Sequence, residues 1–146
     1  MTLGAIAVSG AGGLVGSALI GDLTASGAAT VLRLARRGSS DAGAIQWDAE
    51  RLEGCDAIVH LAGEPIGSGR WSPSRKEAIR GSRVEGTRRL VDSLLGLGRK
   101  PRALICASAI GYYGDRGDED LTESAGPGEG FLSDVAKGWE QEAARA

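Results

Sequence analysis

Residues 3–16 read L-G-A-I-A-V-S-G-A-G-G-L-V-G. The run opens with an apolar stretch around Ile6 and Val8, short enough for one buried strand. Gly10, Gly13 and Gly16 follow at three-residue spacing. Helical periodicity then begins in Leu14, Val15, Ala18, Leu19 and Leu23. A strand that turns through glycines into a helix is the geometry that cradles a pyrophosphate. Gly10 permits the tight turn, Gly13 exposes bare backbone to the phosphates, and Gly16 lets helix and strand pack closely. The free N–H groups of the first helical turn and the positive end of the helix dipole face the anion. In a chain with 24 glycines the triplet alone is weak and is also compatible with a purely structural turn. Its place between a strand and a helix makes it specific.

At 146 residues there is room for one domain with a real core. Aromatics make up only 4% of the chain, so that core must be built from Leu, Val, Ile and Ala. No segment approaches the ~18 apolar residues of a membrane span, and no basic leader precedes the first apolar run. Cys55 and Cys106 match no metal or redox spacing, and with a single histidine they exclude a zinc site. We read the compartment as the reducing cytoplasm. The net charge of −2 hides an asymmetry: residues 70–102 carry ten Arg and Lys against three acids, whereas residues 112–146 carry nine acids against three bases. Apart from Trp71 the basic stretch has no aromatics to stack bases, so it reads as a solvated face near an anionic cofactor and not as a nucleic-acid surface.

Thr30–Leu34 reads as a second strand. Where an NAD-binding fold places a carboxylate for the ribose hydroxyls, the chain has Ala35-Arg36-Arg37. A guanidinium fork at Arg36, shared by Arg37, suits a 2′-phosphate and so favours NADP; the alternative is a pair of solvated turn charges. Ala44–Trp47 is a short third strand ending at Asp48, and Ala57–Leu61 a fourth. The small residues after it, Ala62 and Gly63, leave room for a cofactor across the strand ends. His60, alone in an apolar strand, reads as a packing residue. Ser72 and Pro73 open a long helix with Ile79, Val84, Val91 and Leu95 as its apolar stripe and Gly96 and Gly98 at its end. Ala103–Ala107 is a fifth strand, with Ser108 at its carboxyl end, where open α/β sheets place reactive groups. Residues 111–130 read as a long loop and Phe131 to Ala146 as a last helix. This order predicts an α/β fold, a Rossmann-type parallel sheet with helices on both faces.

Several segments then fall into one pattern: G-A-G-G-L-V-G at 10–16, V-H-L-A-G-E at 59–64, G-R-W-S at 69–72 with Lys76, S-R-V-E-G-T at 82–87, S-A-I-G-Y-Y-G-D at 108–115 and L-T-E at 121–123. Together they resemble the extended short-chain dehydrogenase/reductases, and within them the atypical NAD-dependent epimerase/dehydratase-like proteins often labelled nucleoside-diphosphate-sugar epimerase. The resemblance implies that Gly10, Gly13, Leu14 and Val15 hold the pyrophosphate and Arg36 the 2′-phosphate. It further implies that Asp48 meets the adenine, and that Leu61, Ala62 and Gly63 line the nicotinamide half. Ser108 matches the serine that hydrogen-bonds the reacting oxygen. The chain departs from the pattern in three ways. It has no Y-x-x-x-K pair, since Phe131 stands where that motif begins and no tyrosine stands four residues before Lys137. Arg83 replaces the usual asparagine beside the cofactor. Finally, proteins of this kind are roughly twice as long, and this chain stops inside a helical pattern. We therefore expect residues 1–146 to be the NADP-binding part of a longer architecture whose substrate-binding part is absent. The sheet would then be incomplete, with an unpaired edge that invites self-association into a homo-oligomer.

Two functions remain in play. One is an NADP-dependent oxidoreductase or epimerase of a sugar-nucleotide-like or other hydroxyl-bearing small molecule, with Ser108 orienting the oxygen and Tyr112 or Tyr113 as proton donor. Arg83 or Arg116 would be the cation that activates the tyrosine. The other is a non-catalytic NADP(H)-sensing protein, favoured by the missing tyrosine–lysine pair. No membrane or nucleic-acid partner is expected, and the substrate is not readable from these residues.

Overall fold

The computed structural model describes residues 4–35, 45–46 and 49–146. Among them are five parallel strands: β1 (Ala5–Ser9), β2 (Thr30–Ala35), β3 (Ile45–Gln46), β4 (Ala57–His60) and β5 (Ala103–Cys106). They lie in the order β3-β2-β1-β4-β5. Four helices connect or follow them: α1 (Leu14–Ser26), α2 (Ala49–Leu52), α3 (Pro73–Leu95) and α4 (Phe131–Ala143). The chain winds outward from β1 to β3, then returns to place β4 on the other side of β1. Sheet order therefore reverses between β1 and β4, and their carboxyl ends open a crevice there.

The central strand is apolar because both its faces are covered. Ile6 and Val8 join Val59 in a cluster under α1, packed by Leu19, Ile20 and Leu23. Ala7 points the other way, into a cluster of Leu34, Leu52, Cys55, Ile58, Leu90, Leu94 and Leu97 beneath α3. The helices α3 and α4 lie side by side. Gly138 allows this: a Cβ there would stand 3.1 Å from Val84 Cγ2. Arg88 to Glu142 (2.7 Å) and Arg145 to Asp92 (2.6 Å) tie the exposed rim of that contact. On β5, Ile105 points opposite to Leu104 and is 56% exposed.

The long helix is capped as its sequence predicts, with Ser72 Oγ accepting the Arg75 N–H at 3.2 Å and Pro73 in the first turn. Its stripe agrees with the expected one at Ile79 and Val91 but not at Leu95. Ile79, Thr87, Leu90, Val91 and Leu94 are buried, whereas Leu95 is 42% exposed. The stripe follows 3.6-residue geometry onto the sheet, which carries Leu95 round to solvent. Leu14 and Val15 are likewise not core residues but largely exposed at the mouth of α1. Two elements escaped the sequence reading. The four-residue helix α2 carries the buried Leu52. The stretch read as the start of a long loop begins instead with a single 3-10 turn at Ile110–Tyr113.

The corrected stripe gives a direct check. Leu90→Ala should cost about 2–5 kcal/mol of unfolding free energy and Leu95→Ala within about 0.5 kcal/mol, measured by urea denaturation. Equal losses would mean that α3 is rotated from the orientation described.

Candidate dinucleotide-binding site

The glycine turn is shaped by contacts that no side chain would survive. Gly10 has φ +72° and closes the turn by accepting the Gly13 N–H at 3.0 Å. A Cβ on Gly16 would lie 2.2 Å from the Gly10 carbonyl oxygen, so α1 starts directly on the end of β1. A Cβ on Gly10 would meet the carbonyl carbon of Leu61 at 2.7 Å and the nitrogen of Ala62 at 2.9 Å. The turn thus rests against the first peptide after β4. Gly13 is different: its Cβ would have one neighbour, the Gly10 oxygen at 3.3 Å, and Gly12 would meet nothing within 4 Å. That side is open. The helix has no side-chain cap and no acid in its first turn, so its leading N–H groups face the opening without a competing carboxylate. These features fit an anion such as a pyrophosphate.

Across the switch point, residues 61–72 form the second wall, held by side chains from α3. The Glu64 N–H donates to Ser82 Oγ at 2.9 Å, and Arg83 Nη1 donates to the Glu64 carbonyl at 2.9 Å. Arg75 pairs with the Glu64 carboxylate at 2.6 Å and also donates to the Pro65 carbonyl and Ser68 Oγ. The Arg83 guanidinium lies behind Gly63, 3.0–3.2 Å from where a Cβ would be, and stacks 5.3 Å from the Trp139 ring. Burial lowers its pKa, against an opposing pull from the Glu64 charge. Arg83 is thus placed immediately behind the nicotinamide-side wall that Leu61, Ala62 and Gly63 were expected to form.

Ser108 stands just beyond β5 and donates its hydroxyl proton to Glu140 of α4. Tyr112 and Tyr113 pack edge to face with ring centroids 5.3 Å apart. The loop beyond them folds back on this turn. Gly128 N–H donates to the Tyr112 carbonyl at 2.9 Å, and a Cβ on Gly128 would strike the Tyr113 carbonyl at 1.9 Å. Arg116, one expected cation for a tyrosine, is paired with Glu119 at 2.7 Å. Phe131 is enclosed by Trp71 edge-on at 5.7 Å, Lys76 at 5.4 Å and Arg80 at 6.0 Å. Burial pushes the Cys106 thiol up to about 11, so it remains protonated and is no nucleophile. Arg36, Arg37 and Asp48 lie outside the described residues.

His60 is the residue the sequence undervalued. It is fully buried, but it is not mere packing: Nδ1 lies 2.6 Å from Ser9 Oγ and Nε2 lies 3.1 Å from Thr87 Oγ1. Glu140 was likewise missed. No local signal points to either contact, because the partners are 27 to 51 residues apart in one case and 32 in the other.

The pattern that defines the NAD dependent epimerase/dehydratase family matches residues 6–131. Among curated relatives, an epimerase family protein of Mycobacterium bovis, Mb2239, is 37% identical over 142 residues, which are 92% of this chain and 46% of that protein. The human epimerase family protein SDR39U1, solved with NADPH, superposes with a TM-score of 0.83 at 29% identity, covering 95% of this chain and 48% of its own. MoeE5, solved in complex with UDP-glucose and NAD, superposes with a TM-score of 0.76 at 25% identity, covering 94% and 47%. This chain therefore spans about half the length of the proteins it matches.

Burial lowers the His60 pKa from 6.5 to about 4. In acid the unfolded chain takes up a proton that the folded one refuses. This contribution to stability is complete above pH 6.5 and disappears as the pH falls towards 4, a loss of about 3 kcal/mol. Denaturant midpoints measured from pH 7 to 4 should show the decline, and His60→Gln should flatten it.

Proposed function

The chain belongs to the NAD dependent epimerase/dehydratase family, and on that footing we propose that it is the NADP-binding part of a short-chain dehydrogenase/reductase-like oxidoreductase or epimerase. The observation that carries this reading is the glycine turn, whose backbone leaves space for phosphates on the Gly12–Gly13 side and an uncapped helix end beside it. The first-turn amides of Leu14, Val15 and Gly16 hold the pyrophosphate. Leu61, Ala62 and Gly63 bound the nicotinamide half, with Arg83 bracing them from behind. Arg36 and Arg37, in the segment after β2, recognise the 2′-phosphate. NADPH in the human relative's structure supports that preference, although MoeE5 was solved with NAD. When bound, the nicotinamide supplies or accepts a hydride. The substrate-binding part lies outside these residues, and the substrate is a sugar-nucleotide-like or other hydroxyl-bearing small molecule.

Ser108 orients the reacting oxygen of that substrate, and its bond to Glu140 keeps the hydroxyl directed until substrate replaces the carboxylate. Tyr112 or Tyr113 donates the proton. A second reading, a non-catalytic NADP(H) sensor, is favoured by one observation: the ring at the motif tyrosine's position is Phe131, enclosed by Trp71, Lys76 and Arg80. NADPH oxidation across a panel of carbonyl compounds separates the two. We expect little or no turnover from these 146 residues; substrate-dependent oxidation that is lost in Ser108→Ala would establish the enzyme.

Gly13→Val tests the site itself. Gly13 has φ −78°, which any residue adopts, and its Cβ would press only on the Gly10 carbonyl oxygen at 3.3 Å, a contact relieved by a shift of a few tenths of an ångström, so the variant should fold; the branched side chain should fill the phosphate space and abolish NADPH binding in calorimetry. Unchanged affinity would remove the glycine turn from the site.

Arg36→Ala tests the cofactor preference. A charge-assisted contact of roughly 1.5–3 kcal/mol corresponds to a ten- to hundredfold preference for NADP over NAD. The substitution should erase it at low salt, and equal affinities in the native chain would refute the assignment.

A further inference from the structure

From the middle of α3, Arg83 carries a positive charge into the wall that residues 61–72 build. Gly63 has no side chain, and the guanidinium takes the space one would fill. Its Cζ, Nη2 and Nη1 lie 3.0, 3.1 and 3.2 Å from where a Gly63 Cβ would stand. The charge therefore sits directly against the backbone of the wall. Nη1 fixes it there, donating to the Glu64 carbonyl at 2.9 Å and more weakly to the Ile79 carbonyl at 3.5 Å. The ring of Trp139, itself buried, lies 5.3 Å from Cζ.

None of these contacts neutralises the charge, since two are carbonyl oxygens and the third is an indole. Among the described residues the one carboxylate acting on Arg83 is that of Glu64. Arg75 already holds that carboxylate at 2.6 Å. Glu64 and Arg75 cancel, and Arg83 remains as one net positive charge on the wall. Glu140 is bonded to Ser108 instead, and Lys76 and Arg80 add charge of the same sign around Phe131. A guanidinium keeps its proton throughout the physiological range, and a half-buried one is screened less than a charge in open water.

The two oxidation states of a nicotinamide dinucleotide share their phosphates and adenosine. They differ at the ring, which is a cation when oxidised and neutral when reduced. The amides of the glycine turn act on the shared part and treat both forms alike, whereas a charge beside the ring does not. We infer that Arg83 makes the crevice selective for the reduced dinucleotide, by setting an uncompensated positive charge behind the wall that borders the nicotinamide. This rests on the reading of the crevice as a dinucleotide site with its nicotinamide half at Leu61, Ala62 and Gly63. Arg83 acts through space and needs no contact with the ring. Gly63 belongs to the same device, because a side chain there would force the guanidinium away.

The test is equilibrium binding of NADPH and of NADP+ to this chain, by calorimetry at low salt. The wild type should hold NADPH about tenfold more tightly than NADP+, the difference that one screened pair of like charges makes. Arg83→Gln keeps hydrogen-bond donors without the charge and should bring the two affinities close together. Arg83→Lys keeps the charge and should keep the preference. Bracing of the wall is a separate role: its loss weakens both forms alike and leaves their ratio unmoved. Equal affinities in the wild type overturn the inference, a result that needs no variant to fold. A preference that survives in Arg83→Gln overturns it too, as does one lost in both variants, which would make shape and not charge the cause. If the wild type binds neither form, the dinucleotide reading itself fails. Tight and equal binding of both leaves that reading standing and removes only the role of Arg83.

Discussion

The approach of Gly16 to the carbonyl of Gly10 is the constraint on which the rest depends. A single methyl group there would stand 2.2 Å from that oxygen. With no methyl, α1 begins on top of the end of β1, aims its free N–H groups across the carboxyl edge of the sheet, and lays Leu19, Ile20 and Leu23 on the cluster around Ile6 and Val8. The same close contact leaves Leu14 and Val15 exposed at the mouth. Both stand beside first-turn amides that no side chain caps.

The two walls of the crevice are built by different means. The glycine turn is held by backbone sterics, whereas residues 61–72 are irregular chain pinned by polar side chains of α3. Ser82, Arg83 and Arg75 take up backbone and side-chain groups of residues 64–68 that no strand or helix would satisfy. Where the two walls meet, satisfaction of buried polar atoms becomes strict. Ser9, His60 and Thr87 sit in low-dielectric surroundings, where each unmade hydrogen bond would be expensive and each made one restricts geometry.

The surroundings of Ser108 and Phe131 have a different character. A phenol and a lysine ammonium would supply proton transfer in the usual dehydrogenase pattern. Here a phenyl ring is clasped by an indole and two cations, an arrangement that packs α4 against the start of α3 and offers no proton. Ser108 keeps a partner of another kind, a carboxylate one helix away. The glycine-turn side of the crevice and the Ser108 side are therefore built by different kinds of contact.

The sequence by itself determined what depends on near neighbours in the chain. The order of the strands and of the three long helices, the parallel sheet, the glycine turn, and the Ser72–Pro73 start of α3 were all legible, because each rests on periodicity, glycine conformational freedom or capping within a few residues. Tertiary structure decided whatever joins distant segments. It rotated the apolar stripe of α3 from Leu95 to Leu90 and Leu94, because the sheet chooses which face is buried. It folded Tyr112 and Tyr113 under the Gly128 backbone and gave Ser108 to Glu140. It also turned His60 from a lone polar residue in an apolar strand into a member of a hydrogen-bonded cluster, because Ser9 and Thr87 meet it only when β1, β4 and α3 have packed.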